Sequence, residues 1–180
     1  WVRKRTLRQK RKLVQRETGK TTGTILDLGS GTGAFAGEMK SNGWQVTALE
    51  PDADARKVAL DSFGVSLQDT TEFYSLADQQ FDAITMWHVL EHVHDLQGYM
   101  AKLKTLLKEK GRLIIAVPNY TSGDAASYGA YWAAYDVPRH LYHFSPAAMR
   151  RRRGFRPRWW WTTWRVACCA SCSARSPRPS

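Results

Sequence analysis

An α/β fold with a doubly wound, mostly parallel sheet is predicted by three features of this 180-residue chain. Short apolar runs rich in β-branched residues alternate with stretches of helical spacing from residue 24 onward, the order that builds βαβ units with right-handed crossovers. A glycine-rich turn, Gly29-Ser30-Gly31-Thr32-Gly33, joins the first apolar run to the first helix. Carboxylates stand at the ends of the first two strands, Asp27 and Glu50, where open parallel sheets receive their ligands.

Thr24–Leu28 is a short apolar run closed by glycines and reads as a buried strand. Ala34–Ser41 follows as a helix ended by Asn42-Gly43, and Gln45–Leu49 as a second strand. Asp52 is placed to cap a helix that runs to Phe63 and stops at Gly64. A third strand is expected at residues 65–67 and a fourth at Phe81–Trp87. Asp95 caps the next helix, with Leu96, Tyr99, Met100, Leu103, Leu106 and Leu107 at helical spacing and Gly111 as its stop. Residues 113–117 form the fifth strand, and Ser145-Pro146 begins another short helix. Three segments result: a basic N-terminal helix or linker at 1–22, with Val2, Leu7, Leu13 and Val14 as its apolar residues; a ligand-binding domain at 23–149; and a tail at 150–180.

The net charge of +11 is unevenly distributed. The first twenty residues carry nine Lys/Arg and one acid, the last thirty-one carry nine Arg and no acid, and residues 21–149 have a net charge of −6. The basic ends read as solvated charge runs, so no nucleic-acid partner is predicted. Arg and Trp in the tail could stack on bases, but its lack of periodicity and of acids favours a non-native, out-of-frame extension that replaces the last strands of the sheet. Cys168, Cys169 and Cys172 all fall in that tail, which leaves the middle without a disulfide framework or a cysteine zinc site; no metal centre is predicted. No membrane span is expected, because no apolar run is long enough, and no secretory signal, because the basic N-terminus lacks an apolar region. A cytoplasmic location is the expectation. The chain opens on Trp1 without an initiator methionine, as a fragment does.

The turn at 29–33 sits between a strand and a helix, where glycines let the backbone approach a ligand and the helix start leaves amide donors exposed. Gly29, Gly31 and Ala34 also satisfy the dinucleotide pattern G-x-G-x-x-G/A, so an NAD-linked oxidoreductase is one reading. Asp27 weighs against it, since a carboxylate two residues before the first glycine suits an ammonium group and repels a pyrophosphate. Glu50 can accept both hydroxyls of a ribose and fits either ligand.

Residues 25–33, then Ala48-Leu49-Glu50-Pro51, then residues 81–93 resemble, in that order, the class I S-adenosylmethionine-dependent methyltransferases. They are most similar to the group containing the ubiquinone-biosynthesis O-methyltransferase. The resemblance covers about residues 22–149 and implies a Rossmann-like fold with S-adenosyl-L-methionine as cofactor. It implies that Asp27, Gly29, Ser30, Gly31, Thr32 and Gly33 surround the methionine part, and that Glu50, followed by Pro51, meets the ribose. Trp87 and His88 would line the reactive end, with the adenine near Gln68-Asp69-Thr70. Glu91 and His92 read as braces of the loop after the fourth strand.

Residues 132–145 follow the fifth strand, where this fold often places a lid over the acceptor, here a small molecule. They set Asp136, Arg139, His140 and His143 among aromatics. Asp136, Arg139 and His140 are the expected substrate contacts, with Arg139 orienting an acidic group. His140, His143 or His88 is the expected base for an oxygen acceptor, because imidazole titrates near neutrality. An inactive cofactor-binding fragment is the remaining alternative.

Overall fold

The computed structural model describes residues 2–150; the whole of the sequence-predicted tail except Arg150 lies outside them. Helix α1 (Val2–Thr18) leads into β1 (Thr24–Leu28), α2 (Ala34–Ser41), β2 (Gln45–Leu49) and α3 (Ala53–Phe63). The chain continues through β3 (Phe81–Trp87), α4 (Leu96–Leu106), β4 (Leu107–Ala116), α5 (Gly123–Tyr128) and α6 (Pro146–Arg150). Single 3-10 turns occur at Thr70–Tyr74, Leu90–His92, Gly129–Tyr131 and Ala133–Tyr135. Among the described residues the sheet has four strands in the order β2-β1-β3-β4, every neighbouring pair parallel.

Strict alternation along the strands sends side chains to two faces. Leu26, Leu28, Leu49, Ile84, Met86, Leu113 and Ile115 pack with Leu96, Leu103 and Leu106 of α4. On the opposite face Ile25, Ala83 and Ile114 pack with Phe35 and Met39 of α2 and with Leu13 and Val14 of α1. Leu103 and Leu106 are fully buried, and each such side chain stabilises the fold by roughly 1.5–3 kcal/mol. Arg11 of α1 donates to Glu38 of α2 at 2.8 Å. At the opposite end of the sheet from the glycine turn, Asp82 accepts from Lys20 at 2.6 Å, from the Thr24 amide at 2.9 Å and from Lys108 at 2.9 Å.

The helix caps follow the sequence. Asp52 accepts from the amides of Asp54 and Ala55, Gly64 takes the left-handed conformation after α3, and Asp95 accepts from the Gly98 amide. Two elements differ from expectation. Residues 65–67 form no strand: Val65 and Leu67 are buried, but the ladder there is a single bridge between Leu49 and Gln68. Asp69 immediately caps the turn at Thr70–Tyr74 and carries the chain away from the sheet edge. Gly111 does not stop α4, which ends at Leu106 when Leu107 turns extended and pairs with Phe81. The chain then bulges and rejoins the ladder at Arg112 opposite Ala83. Gly111 lies in that bulge, where a Cβ would come within 2.8 Å of the Phe81 carbonyl oxygen.

Candidate functional site

The turn at 29–33 is clamped to the end of β2. The amides of Gly29 and Ser30 both donate to the Leu49 carbonyl, at 2.9 and 3.1 Å. Gly33 (φ 73°) leads directly into α2, whose start no side chain caps. A Cβ on Gly33 would strike the Ala59 side chain, so α3 packs hard against the turn there. A Cβ on Gly31 (φ 53°) would meet nothing within 4 Å, so the middle of the turn borders open space. The Gly31 amide donates to Glu50 Oε2 at 2.6 Å, and Glu50 Oε1 accepts from the Asp52 amide at 3.2 Å. The Glu50 amide in turn donates to the Gln68 carbonyl at 3.0 Å. Glu50 is therefore held by backbone at both ends of its side chain.

Asp27 lies beneath the turn and is 1% exposed. Ser30 Oγ donates to its Oδ2 at 2.6 Å and Thr85 Oγ1 of β3 to its Oδ1 at 2.7 Å. Burial pushes the carboxyl up to about 6, against the opposing pull of these two hydroxyls and of Lys10, and with a further upward push from Glu50. Lys10 reaches this point from α1: its Nζ stands 4.3 Å over the Trp87 ring and 5.9 Å from the Phe35 ring centre. Burial lowers the Lys10 ammonium while Asp27 raises it. Trp87 meets Phe35 edge-on at 5.5 Å, and its buried indole nitrogen has no hydrogen-bond partner.

Sequence reading missed Lys10. The signal was available, because Lys10 falls on the same helical stripe as Leu7, Leu13 and Val14, and a lysine on an apolar stripe of a packed helix needs a partner.

Asp69, at the outer end of this edge, accepts from Arg56 at 2.9 Å and from the Thr71 amide at 3.0 Å. The Thr71 contacts foremost, with Arg56 adding to them, hold its carboxyl below the usual range. Arg56 also donates to the carbonyls of Glu50 and Pro51, at 2.7 and 2.8 Å, tying Asp69 to the end of β2. Pro51 and Thr32 are exposed.

The three candidate bases do not share one cluster. His88 (φ 62°) follows β3, its amide donating to the Ala116 carbonyl, and its Nδ1 is 3.5 Å from Glu91 Oε1. His140 Nδ1 contacts the Ala134 carbonyl at 2.8 Å, and its ring meets the His92 ring edge-on at 4.7 Å. His143 is exposed, with Nε2 at 3.0 Å from the Tyr135 carbonyl and its ring edge-on to Tyr135. Arg139 and Asp136 are engaged with each other at 2.7 and 3.0 Å, and the Arg139 side chain is 75% exposed. The segment is docked by backbone: the Leu141 amide donates to the Glu91 carbonyl at 2.8 Å, and Asn119 bridges Phe144.

A family profile described as "Methyltransferase domain" matches residues 2–155. The chain is 35% identical over 115 residues to the ubiquinone biosynthesis O-methyltransferase of Serratia proteamaculans, an overlap of 59% of this chain and 47% of that protein. It thus spans about half the length of the curated relatives it matches. Its fold superposes on a SAM-dependent methyltransferase from Archaeoglobus fulgidus with a TM-score of 0.62 at 19% identity, covering 80% of this chain and 65% of that one. A second solved structure is the 1,6-didemethyltoxoflavin-N1-methyltransferase of Burkholderia thailandensis with bound S-adenosylhomocysteine. It superposes with a TM-score of 0.54 at 22% identity, covering 65% of this chain and 53% of that one. Among the described residues no helix is long and apolar enough to cross a membrane. A Rossmann-like parallel sheet, a glycine turn flanked by two carboxylates and the profile match over all of the described residues lead to one assignment: this chain belongs to the methyltransferase-domain family.

Proposed function

We propose that this chain binds S-adenosyl-L-methionine and moves its methyl group to an oxygen of a small-molecule acceptor. One observation carries the reading: the Gly31 amide, the donor nearest the open space, is already engaged by Glu50, with a second carboxylate, Asp27, buried below it. A turn lined this way attracts a cation. A pyrophosphate would meet two negative charges and lose the donor it needs, which argues against the NAD-linked reading.

In this reading Asp27 faces the ammonium of the methionine part and Lys10 its carboxylate, so the two ends of a zwitterion meet opposite charges. Glu50 retains lone pairs for ribose hydroxyls, Trp87 walls the methionine side, and Asp69 with Pro51 borders the adenine. The bound sulfonium supplies an activated methyl. The chain's residues align the acceptor oxygen behind that methyl, and such positioning contributes several kcal/mol. During such a transfer the hydroxyl proton of the acceptor would pass to a base. We assign that base to His88, which follows the wall residue Trp87 and has the Glu91 carboxylate 3.5 Å from Nδ1 to stabilise an imidazolium. His143 braces the lid through the Tyr135 carbonyl, and Arg139 with Asp136 borders the acceptor. The O-methyltransferase name of the Serratia protein supports oxygen as the methylated atom.

Calorimetry with S-adenosylhomocysteine and with NADH tests the cofactor. Heat with the first and none with the second is expected; the reverse overturns the reading.

A further inference from the structure

Helix α1 has two unlike sides. Leu7, Leu13 and Val14 pack against Ile25, Phe35 and Met39 of the core. Two cations turn inward with them: Arg11 pairs with Glu38 at 2.8 Å, and Lys10 Nζ lies 4.3 Å over the Trp87 ring. The outward side carries Lys4, Arg5, Arg8 and Lys12, all exposed. Among the described residues none of these four has an ion pair or a hydrogen bond. Lys4, Arg8 and Lys12 follow at intervals of four residues, about 6 Å of rise each, so they line one face, with Arg5 beside Lys4. Like charges at this spacing repel one another and weaken a helix, a cost that an anionic partner removes. The basic run, uniform as sequence, is thus sorted by the fold into a packed set and an unpaired stripe.

The kind of partner follows from what the stripe lacks. Every exposed residue from Lys4 to Arg16 is charged, a hydroxyl or an amide. A stable protein contact is built around an apolar core that charged residues avoid. A lipid surface holds a helix by its apolar side, and here that side is packed against the sheet. A single-stranded nucleic acid stacks its bases on aromatic faces, which this side of the helix does not offer. A duplex backbone needs none of these. It presents one negative charge per about 1.7 Å, roughly seven over the roughly 12 Å of helix from Lys4 to Lys12. The net charge of −6 on residues 21–149 repels the same backbone and confines the contact to the helix.

We propose that the face formed by Lys4, Arg5, Arg8 and Lys12 docks on the phosphate backbone of a nucleic-acid duplex, without reading its sequence. Contacts of this kind position a protein on the duplex and carry no base information. The proposal supplies a nucleic-acid partner where composition predicts none. It uses no residue of the cofactor site and does not depend on the transfer reading.

The test compares the full chain with its fourfold variant Lys4→Gln/Arg5→Gln/Arg8→Gln/Lys12→Gln. Glutamine keeps a high helix propensity, and Lys10 and Arg11 stay in place. Binding to a short mixed-sequence DNA duplex is followed by fluorescence anisotropy between about 50 and 200 mM salt. The parent should bind with a dissociation constant of about 100 micromolar or tighter at physiological salt. Each neutralised phosphate contributes about 0.9 to the slope of log affinity against log salt, so the slope of the fourfold variant should be shallower by about 3.6. Across that salt range the parent should therefore lose about 150-fold more affinity than the variant. Arg8→Gln alone should lower the slope by about 0.9, and it keeps the test decisive if the fourfold variant misfolds. The arginines beyond residue 150 are common to all these chains, so the differences report α1.

Lys57→Gln/Lys104→Gln/Lys110→Gln removes exposed charge from α3, α4 and β4 and should leave the parent's slope unchanged. Circular dichroism and affinity for S-adenosylhomocysteine should be unchanged in the fourfold variant, which separates this proposal from the cofactor assignment. The absence of duplex binding by the parent would overturn the proposal, as would an equal salt slope in the fourfold variant or an equal loss in the Lys57, Lys104 and Lys110 control. Binding that depends on the four α1 cations but goes to phosphatidylglycerol vesicles, or to the single strand in preference to the duplex, would assign the face to that partner and overturn it as well.

Discussion

The glycine turn and the 132–145 segment are held by different means. At the turn the functional side chains are fixed at the ends of buried strands: Glu50, following β2, by the amides of Gly31 and Asp52, and Asp27 of β1 by the hydroxyls of Ser30 and of Thr85 from β3. In the 132–145 segment the charged groups satisfy one another or nearby carbonyls, and one short 3-10 turn stands in place of regular helix or strand. The turn is preorganised for a ligand of fixed shape. In the proposed reading the other segment, held largely by contacts within itself, is the part that meets a variable acceptor.

The sharpest break between the two regions should come from the glycines. Gly33→Ala puts a Cβ into Ala59 at a left-handed backbone position and should destabilise the fold by about 2–4 kcal/mol in a denaturant titration. Gly31→Ala has the same backbone strain but open space, so about 1–2 kcal/mol of stability and most of the cofactor affinity should be lost. Equal effects on affinity and stability in both variants would show that the turn is only structural.

Asp27→Asn should move stability and binding in opposite directions. The raised carboxyl means that the folded chain holds a proton between about pH 4 and 6 that the unfolded chain has released, so stability from this group falls as pH rises through that window. Asparagine mimics the protonated form, and the variant should melt higher at pH 7, while affinity for S-adenosylhomocysteine drops about tenfold or more. A variant that melts lower and binds normally would refute this.

Lys10→Ala should weaken the same affinity by a smaller factor, about threefold to tenfold. It should leave the melting temperature nearly unchanged, because burial already disfavours the charge it removes. The smallest effect is expected at Arg139→Ala, whose exposed ion pair with Asp136 contributes about 0–1 kcal/mol and whose loss should leave cofactor binding untouched.

What was legible in the sequence followed the same division. Strands β1 to β3, the Asp52 and Asp95 caps and the placement of Gly29 to Gly33 depend on local pattern, and each could be read from a few consecutive residues. Residues 65–67 could not, because whether a short apolar run joins a ladder depends on where Asp69 turns the chain away. Gly111 misled for a related reason: Leu107 continues the helical spacing of α4 but is captured by Phe81, a partner 26 residues earlier. Lys10 beside Asp27, and His92 with His140, are convergences across long separations that no motif encodes.

The claim under all of this is that a carboxylate-lined turn receives the positive end of the cofactor. Calorimetric titration of S-adenosylhomocysteine from pH 5 to 8 measures it most directly. Binding requires ionised Asp27, so the affinity should be level above about pH 6.5 and fall towards tenfold per unit below about pH 6, and this fall should vanish in Asp27→Asn. An affinity that does not change across that range in the parent chain would contradict the account.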